Sequence, residues 1–207
     1  MSSKDYFDSI AQQWDSMRQC FFSEAVREKA LVTAEIQPGK LAADIGAGSG
    51  FITESLIRNG LKVIAVDQSQ AMLAEMKKRF PKEDAIDYRI GFAEALPIAD
   101  TEVDFVFANM YLHHVETPPL AVKEMVRILK PAGKLVITDL DAHEFEFLRT
   151  EQHDRWLGFK REDIRKWFED ADLKNVYVDC IGENCCAQST WDGEFANVRI
   201  FVASAEK

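Results

Sequence analysis

Leu41-Ala42-Ala43-Asp44-Ile45-Gly46-Ala47-Gly48-Ser49-Gly50 runs directly into Phe51-Ile52-Thr53-Glu54-Ser55-Leu56-Ile57. Leu41 to Ile45 is short and mostly apolar, as a parallel strand buried on both faces should be. The segment from Phe51 has helical character. Between them stand three glycines at alternate positions, which let the chain turn sharply and let a ligand approach the main chain. The helix behind them offers N–H groups that its own first turn leaves unpaired. A dinucleotide site wants G-x-G-x-x-G. Gly46 and Gly48 fit that spacing, but Phe51 occupies the third position and the extra glycine is Gly50. Asp44 adds a carboxylate at the strand end, which would repel a pyrophosphate and attract a cationic ligand.

Lys62-Val63-Ile64-Ala65-Val66-Asp67 reads as the second strand, reached through a helix that Gly60 terminates. Asp67 closes it, and an acid at this place in a doubly wound sheet takes ribose hydroxyls. Ser69 can N-cap a helix over Gln70 to Phe80, whose last turn carries Lys77, Lys78 and Arg79 as the helix dipole prefers. Residues 85–90 form a third strand and Val103 to Ala108 a fourth. Thr117 then N-caps a helix with Pro118 at its first position, running to Lys130-Pro131, and Gly133 to Asp139 is the fifth strand. Residues 160–171 form a helix with Ile164, Trp167, Phe168 and Ala171 on one face. Residues 174–181 and 197–204 read as the last two strands, joined by a long loop. They have no helix between them, so they pair antiparallel.

Strand–helix alternation predicts an α/β fold with a mostly parallel sheet and right-handed crossovers. Ligands in such sheets bind beyond the carboxyl ends of the strands. That rule gathers Asp44–Gly50, Asp67-Gln68, Gly91–Glu94, Asn109–His114 and Asp139–His143. It also adds the loop Gly182 to Phe195, which carries Cys185-Cys186 and Trp191.

The acid-x-Gly-x-Gly-x-Gly pattern, with Asp67 after the next strand, resembles motif I and its partner acid in class I S-adenosylmethionine (SAM) methyltransferases. Tyr6-Phe7-Asp8-Ser9-Ile10-Ala11-Gln12-Gln13-Trp14-Asp15 resembles the lead-in of the ubiquinone/menaquinone-biosynthesis type of that family. So do Gly91-Phe92-Ala93-Glu94-Ala95-Leu96-Pro97, Asn109 to Val115, and Arg127 to Leu135. The resemblance covers residues 5 to about 140. It implies a seven-stranded Rossmann-like sheet of order 3-2-1-4-5-7-6 with strand 7 antiparallel. It implies SAM as cofactor, S-adenosylhomocysteine as product and a small-molecule methyl acceptor. It places the cofactor against Tyr6, Trp14, Asp44, Gly46, Ala47, Gly48, Asp67, Gln68, Met72, Phe92, Ala93, Glu94, Asn109, Met110 and His114. One departure stands out. The family carries an acid at position 92 to bond the adenine amino group, and Phe92 stands there instead, so adenine contact falls to stacking or backbone, with Glu94 a possible substitute. His113 and His114 are the candidate bases, because histidine titrates in the right range.

Residues 4–17 are expected to form one amphipathic helix bearing Phe7, Ile10, Trp14 and Met17 on a face, and residues 23–35 a second. In the resembling family this region is a lid over SAM. Residues 140–158, polar and aromatic with His143, His153 and Trp156, are the expected substrate-side insertion. The expectation is thus one domain over 1–207, with residues 1–38 as N-terminal helices or lid and 39–207 as the sheet core.

The chain has 207 residues, 47 % apolar, enough for a substantial core. A net charge of −10 argues against bare nucleic acid, which binds basic patches. The absence of an Asn-Pro-Pro-Tyr/Phe-type motif after the fourth strand argues the same way. No secretory signal and no membrane span are evident, and Cys20, Cys180, Cys185 and Cys186 make no disulfide framework, so a reduced cytoplasmic protein is expected. Cys185-Cys186 raises thiolate-assisted methylation of a metalloid as an alternative, although the spacing differs from arsenite methyltransferases. His143, His153 and the cysteines give no trusted zinc spacing, so no metal is expected. The remaining alternatives are a SAM-binding sensor without transfer activity and an NAD-dependent oxidoreductase, the latter disfavoured by Phe51.

Overall fold

In a computed structural model that describes residues 2–207, a single seven-stranded sheet organises the chain, with strand order β3-β2-β1-β4-β5-β7-β6. The strands are β1 (Leu41–Ile45), β2 (Lys62–Asp67), β3 (Ile86–Ile90), β4 (Val103–Asn109), β5 (Leu129–Leu140), β6 (Lys174–Gln188) and β7 (Phe195–Glu206). Neighbours β1 to β5 pair parallel, while β7 runs antiparallel to both β5 and β6. This is the topology expected from the sequence. The order reverses at β1 and β4, and their carboxyl ends form the crevice where such sheets bind ligands.

Helices cover both faces. The first three are α1 (Ser3–Ile10), α2 (Trp14–Phe21) and α3 (Glu24–Ala34). They are followed by α4 (Phe51–Arg58), α5 (Gln70–Arg79), α6 (Pro118–Ile128), α7 (Phe147–Glu151) and α8 (Arg161–Glu169). Successive strand residues point to opposite faces, and the core divides accordingly. Ala42, Val63 and Phe107 meet Val26, Leu56 and Met76 on one side. Ala43, Ile64 and Val106 meet Met125, Ile164 and Phe168 on the other. Among the described residues no helix is long and apolar enough to cross a membrane.

Three expectations need correction. Residues 4–17 are not one helix: α1 and α2 are separated by a turn at Ala11–Gln13. In a continuous helix Phe7 and Trp14 would stand about 10 Å apart along the axis. The break brings their rings to 5.3 Å, edge to face. Thr117 makes no side-chain cap for α6. Glu94 does that work, accepting from the backbone N–H groups of Glu116 (3.1 Å) and Thr117 (3.0 Å). The long loop expected over Gly182–Phe195 is largely strand. β6 continues to Gln188 across an irregularity between Cys180 and Asn184, and only residues 189–194 turn. As an edge strand with alternating exposure, β6 is polar enough to read as loop.

Candidate functional site

The glycine turn is built around the two acids. Gly46, Gly48 and Gly50 all have positive φ (70°, 54° and 94°), a conformation that costs other residues strain. Gly50 is the N-cap of α4 and has no side chain to serve as a cap. Asp44 reaches across instead: its Oδ2 accepts from the N–H (3.0 Å) and Oγ1 (2.6 Å) of Thr53. Asp67 ties the turn to β2, accepting from the Gly48 N–H and the Ser69 N–H, both at 2.8 Å. Burial pushes the Asp44 carboxyl up to about 7, against the bonds from Thr53. It pushes Asp67 up to about 6, against its backbone N–H partners, with the charge of Asp8 adding to the rise.

Asp44 and Asp67 line a hollow of about 600 Å³, open mouth included, with Gly46, Ala47, Gly48, Gln68, Met72, Asn109, Met110 and His114. That volume suits a small-molecule ligand. Trp14 lies over it: a Cβ on Gly48 would stand 3.5 Å from the indole Nε1. Tyr111 packs flat on the other shoulder of the turn, where a Cβ on Gly46 would come within 2.2 Å of its ring. Two further hydrogen bonds hold the N-terminal helices down. Ser69 Oγ donates to Asp8 (2.6 Å) and Ser49 Oγ to Asp15 (2.5 Å).

Arg18 also lines this hollow, and the sequence reading missed it. Its side chain is buried, the guanidinium carbon lies 4.1 Å from the Phe51 ring centroid, and Nη2 donates to Glu24. Nε and Nη1 have no hydrogen-bond partner. Unpaired buried donors are costly, which marks them as a place for an anion. The signal was its position one turn after Trp14, on the same helix.

A second hollow of about 460 Å³ adjoins the first and shares Phe7, Trp14, Phe22, Met110 and His114 with it. Its walls include Tyr6, Phe21, Leu140, Leu148, Gln152 and Cys185, with His113 and Asp154 at one end. Tyr6 therefore stands here and not at the first hollow. Its hydroxyl donates to Gln152 (2.8 Å), and its ring lies 4.8 Å from that of His153. Cys185 and Cys186 sit on a strand, so their side chains diverge. Only Cys185 lines the hollow, and burial pushes its thiol up to about 12, so it is not a thiolate.

The two histidines have different environments. They lie on a turn of 3-10 helix, Leu112–His114, directly after β4. His113 Nδ1 is 2.6 Å from Asp139 Oδ1, and its Nε2 is 3.8 Å from Asp154. Burial disfavours a charge on this ring, but the carboxylates of Asp139 and Asp154 outweigh it and raise His113 to about 9. His114 falls well below the usual range through burial and the neighbouring His113 charge. The two rings are thus shifted in opposite directions, His113 above and His114 below the ordinary histidine range.

Phe92, Ala93 and Glu94 lie apart from the first hollow. Ala93 is buried, Glu94 caps α6, and Phe92 and Glu94 border a shallower depression beside Gln68 and Tyr111.

A doubly wound sheet with a glycine turn and two buried acids at its switch point defines a nucleotide-type cofactor binder. Residues 43–137 match the family described as "Methyltransferase domain". The demethylmenaquinone methyltransferase of Renibacterium salmoninarum is 35 % identical over 147 residues, covering 70 % of this chain and 61 % of that protein. The putative methyltransferase in a complex with the Haloferax volcanii Trm112 methyltransferase activator has a TM-score of 0.78 at 19 % identity, covering 97 % and 96 % of the two chains. The [4+2]-cyclase SpnF has a TM-score of 0.78 at 14 % identity, covering 99 % and 94 %. Residues 43–137 thus carry a methyltransferase domain, and the chain is similar to class I SAM-dependent methyltransferases. It spans less than two thirds of the length of these curated relatives, which it matches over 19–65 % of their chains.

Proposed function

We propose that the protein transfers a methyl group from SAM to a small-molecule acceptor by in-line displacement. The observation that carries this is the pair of joined hollows. The first offers opposite charges suited to the zwitterionic amino-acid end of SAM: the Asp44 carboxyl, and the unpaired Nε and Nη1 of Arg18. Asp67 stands where ribose hydroxyls would lie. SAM supplies the reactive sulfonium and its leaving group. The chain's own part is to bind the cofactor, hold the acceptor in line and keep water out. The second hollow opens beside the first through Phe7, Trp14, Met110 and His114, which places an acceptor next to the methyl donor. Its aromatic and aliphatic walls favour a small, largely apolar acceptor with a polar group directed at His113 and Asp154.

Demethylmenaquinone methyltransferases among the relatives act, by their names, on a compound of that character, which supports the same acceptor class. The net charge of −10 disfavours a polyanionic acceptor such as nucleic acid. In this reading the chain is one domain. Residues 1–38, of which 2–38 are described, form its lid and N-terminal support, residues 39–207 its sheet core, and 140–158 the acceptor-side wall.

The test is a thermal-shift titration followed by turnover. S-adenosylhomocysteine and SAM should stabilise the protein by mass action and NAD should not. Labelled SAM with a panel of apolar phenols, quinols and amines should then give methylated product. Stabilisation by NAD alone would overturn the assignment of the first hollow. SAM binding with no turnover on any acceptor would favour a sensor.

A further inference from the structure

We propose that His113, His114 and Asp154 form a binding site for one divalent transition-metal ion, with Asp139 as the outer partner that orients His113. The three residues are buried, and one candidate ligand atom from each lies within 4.8 Å of the others. Zinc bonds of about 2.0–2.1 Å at tetrahedral angles need donors about 3.4 Å apart, so modest side-chain rotation would close the set.

The fold brings these residues together by identifiable means. The turn after β4 holds the His113 and His114 ring centroids 4.1 Å apart. Residues 154–156 are fastened to that turn: the N–H groups of Arg155 (3.0 Å) and Trp156 (3.1 Å) both donate to the His113 carbonyl. Trp156 Nε1 donates to the Val115 carbonyl (2.9 Å). Asp154 is thereby set beside both imidazoles, its Oδ1 lying 3.8 Å from His113 Nε2 and 3.9 Å from His114 Nδ1.

The outer partner is also present. Asp139 is fully buried, and its Oδ1 lies 2.6 Å from His113 Nδ1. It also accepts from the backbone N–H of His113 and of Leu140. A carboxylate on Nδ1 leaves Nε2 free to ligate, the arrangement that ligating histidines recurrently show. For His114, the Nδ1 contact with the His153 carbonyl is 3.4 Å, too long to fix a proton there.

Two imidazoles and one carboxylate suit Zn²⁺, Fe²⁺, Co²⁺ or Mn²⁺ rather than a thiophilic ion. Three protein ligands leave a position for a ligand from outside. All three residues line the second hollow, so that position faces it.

The experiment uses the full chain, stripped with chelator, then titrated with Co²⁺ by visible absorption and Zn²⁺ by calorimetry. One equivalent should bind, with the absorption bands of a nitrogen- and oxygen-ligated Co²⁺ ion. Asp154→Asn, which preserves shape, should weaken binding at least 100-fold. Asp139→Asn should weaken it 10–100-fold. S-adenosylhomocysteine binding and the circular dichroism spectrum serve as checks that each variant is folded. If the wild type takes up no metal, His113 is a cation balanced between two carboxylates and the proposal fails. It also fails if Asp154→Asn, folded by those checks, binds metal as the wild type does. Neither failure touches the SAM reading, which the S-adenosylhomocysteine titration decides separately.

Discussion

At Gly46 the main chain has φ +70°, and the Tyr111 ring lies where a side chain would begin. Gly46→Ala should therefore destabilise the fold through both strain and overlap, by about 1–3 kcal/mol. The double variant with Tyr111→Ala should recover only the overlap part, a difference that urea unfolding can read. Asp67 has a structural and a binding task. It holds the Gly48 and Ser69 N–H groups, and in the proposed reading it also takes the ribose. Asp67→Ala should weaken SAM binding by an order of magnitude or more, since a hydrogen bond to a charged group contributes roughly 1.5–3 kcal/mol. Calorimetry with unchanged affinity would refute the ribose assignment. Asp44 titrates the stability of the fold. Its folded pKa, about 7, lies above the ordinary 3.8, so the folded protein holds a proton that the unfolded chain has released across that window. This contribution is full at low pH and is lost as pH rises from about 4 to 7. Asp44→Asn removes the titrating group, so its unfolding free energy should fall less between pH 5 and 7.5 than that of the wild type. Equal slopes would show that Asp44 does not set this dependence.

Among the elements, α1 and α2 border the hollow proposed for the cofactor, with Phe7, Trp14 and Arg18 in its lining. Hydrogen bonds Asp8–Ser69, Asp15–Ser49 and Tyr6–Gln152 fasten them, beside a few ring contacts such as Phe7 on His114 and Arg18 on Phe51. Elements held this way open at low cost. Amide exchange in residues 4–17 should be fast in the free protein and slower with S-adenosylhomocysteine bound. Equal protection in both states would make these helices a fixed support. Element by element, the sequence was most legible where both faces are buried. β1, β2 and β4 could be read from their apolar runs, and the acids Asp44 and Asp67 mark the ends of the first two. The break between α1 and α2 was not legible, because both halves keep the same helical spacing and only contact with the glycine turn demands the corner. β6 was hidden by its exposure at the sheet edge. At the site, Asp44, Gly46, Gly48, Asp67 and Met72 lie together as the motif implied. Asp139 was gathered at its strand end but not paired with His113, and Arg18 and Asp154 were missed, because each acquires its role from partners distant in sequence. Glu94 carried no sign that it would cap a helix more than twenty residues away.

For the whole molecule, stability rests on two cores back to back across one sheet, and β7 belongs to both. Phe201 of β7 is fully buried, while Phe195, at the strand's start, is exposed. Phe201→Ala should cost about 3–5 kcal/mol and Phe195→Ala less than about 0.5 kcal/mol. At this chain length each kcal/mol corresponds to roughly 2–4 °C in melting temperature, so calorimetry separates the two easily. A comparable loss at both positions would mean that β7 is not the interior strand described here.

The antiparallel placement of β7 sets an order of events during synthesis. The last strand in sequence lies between β5 and β6, so β6 has no pairing partner in the sheet until β7 has been made. Until β7 has inserted, β6 presents unsatisfied backbone and the β5 edge stays open. Cysteines 180, 185 and 186 travel on that waiting strand. The interval before β7 inserts is when this chain is most exposed to pairing with a neighbouring copy, and a chaperone that shields extended segments would matter most then.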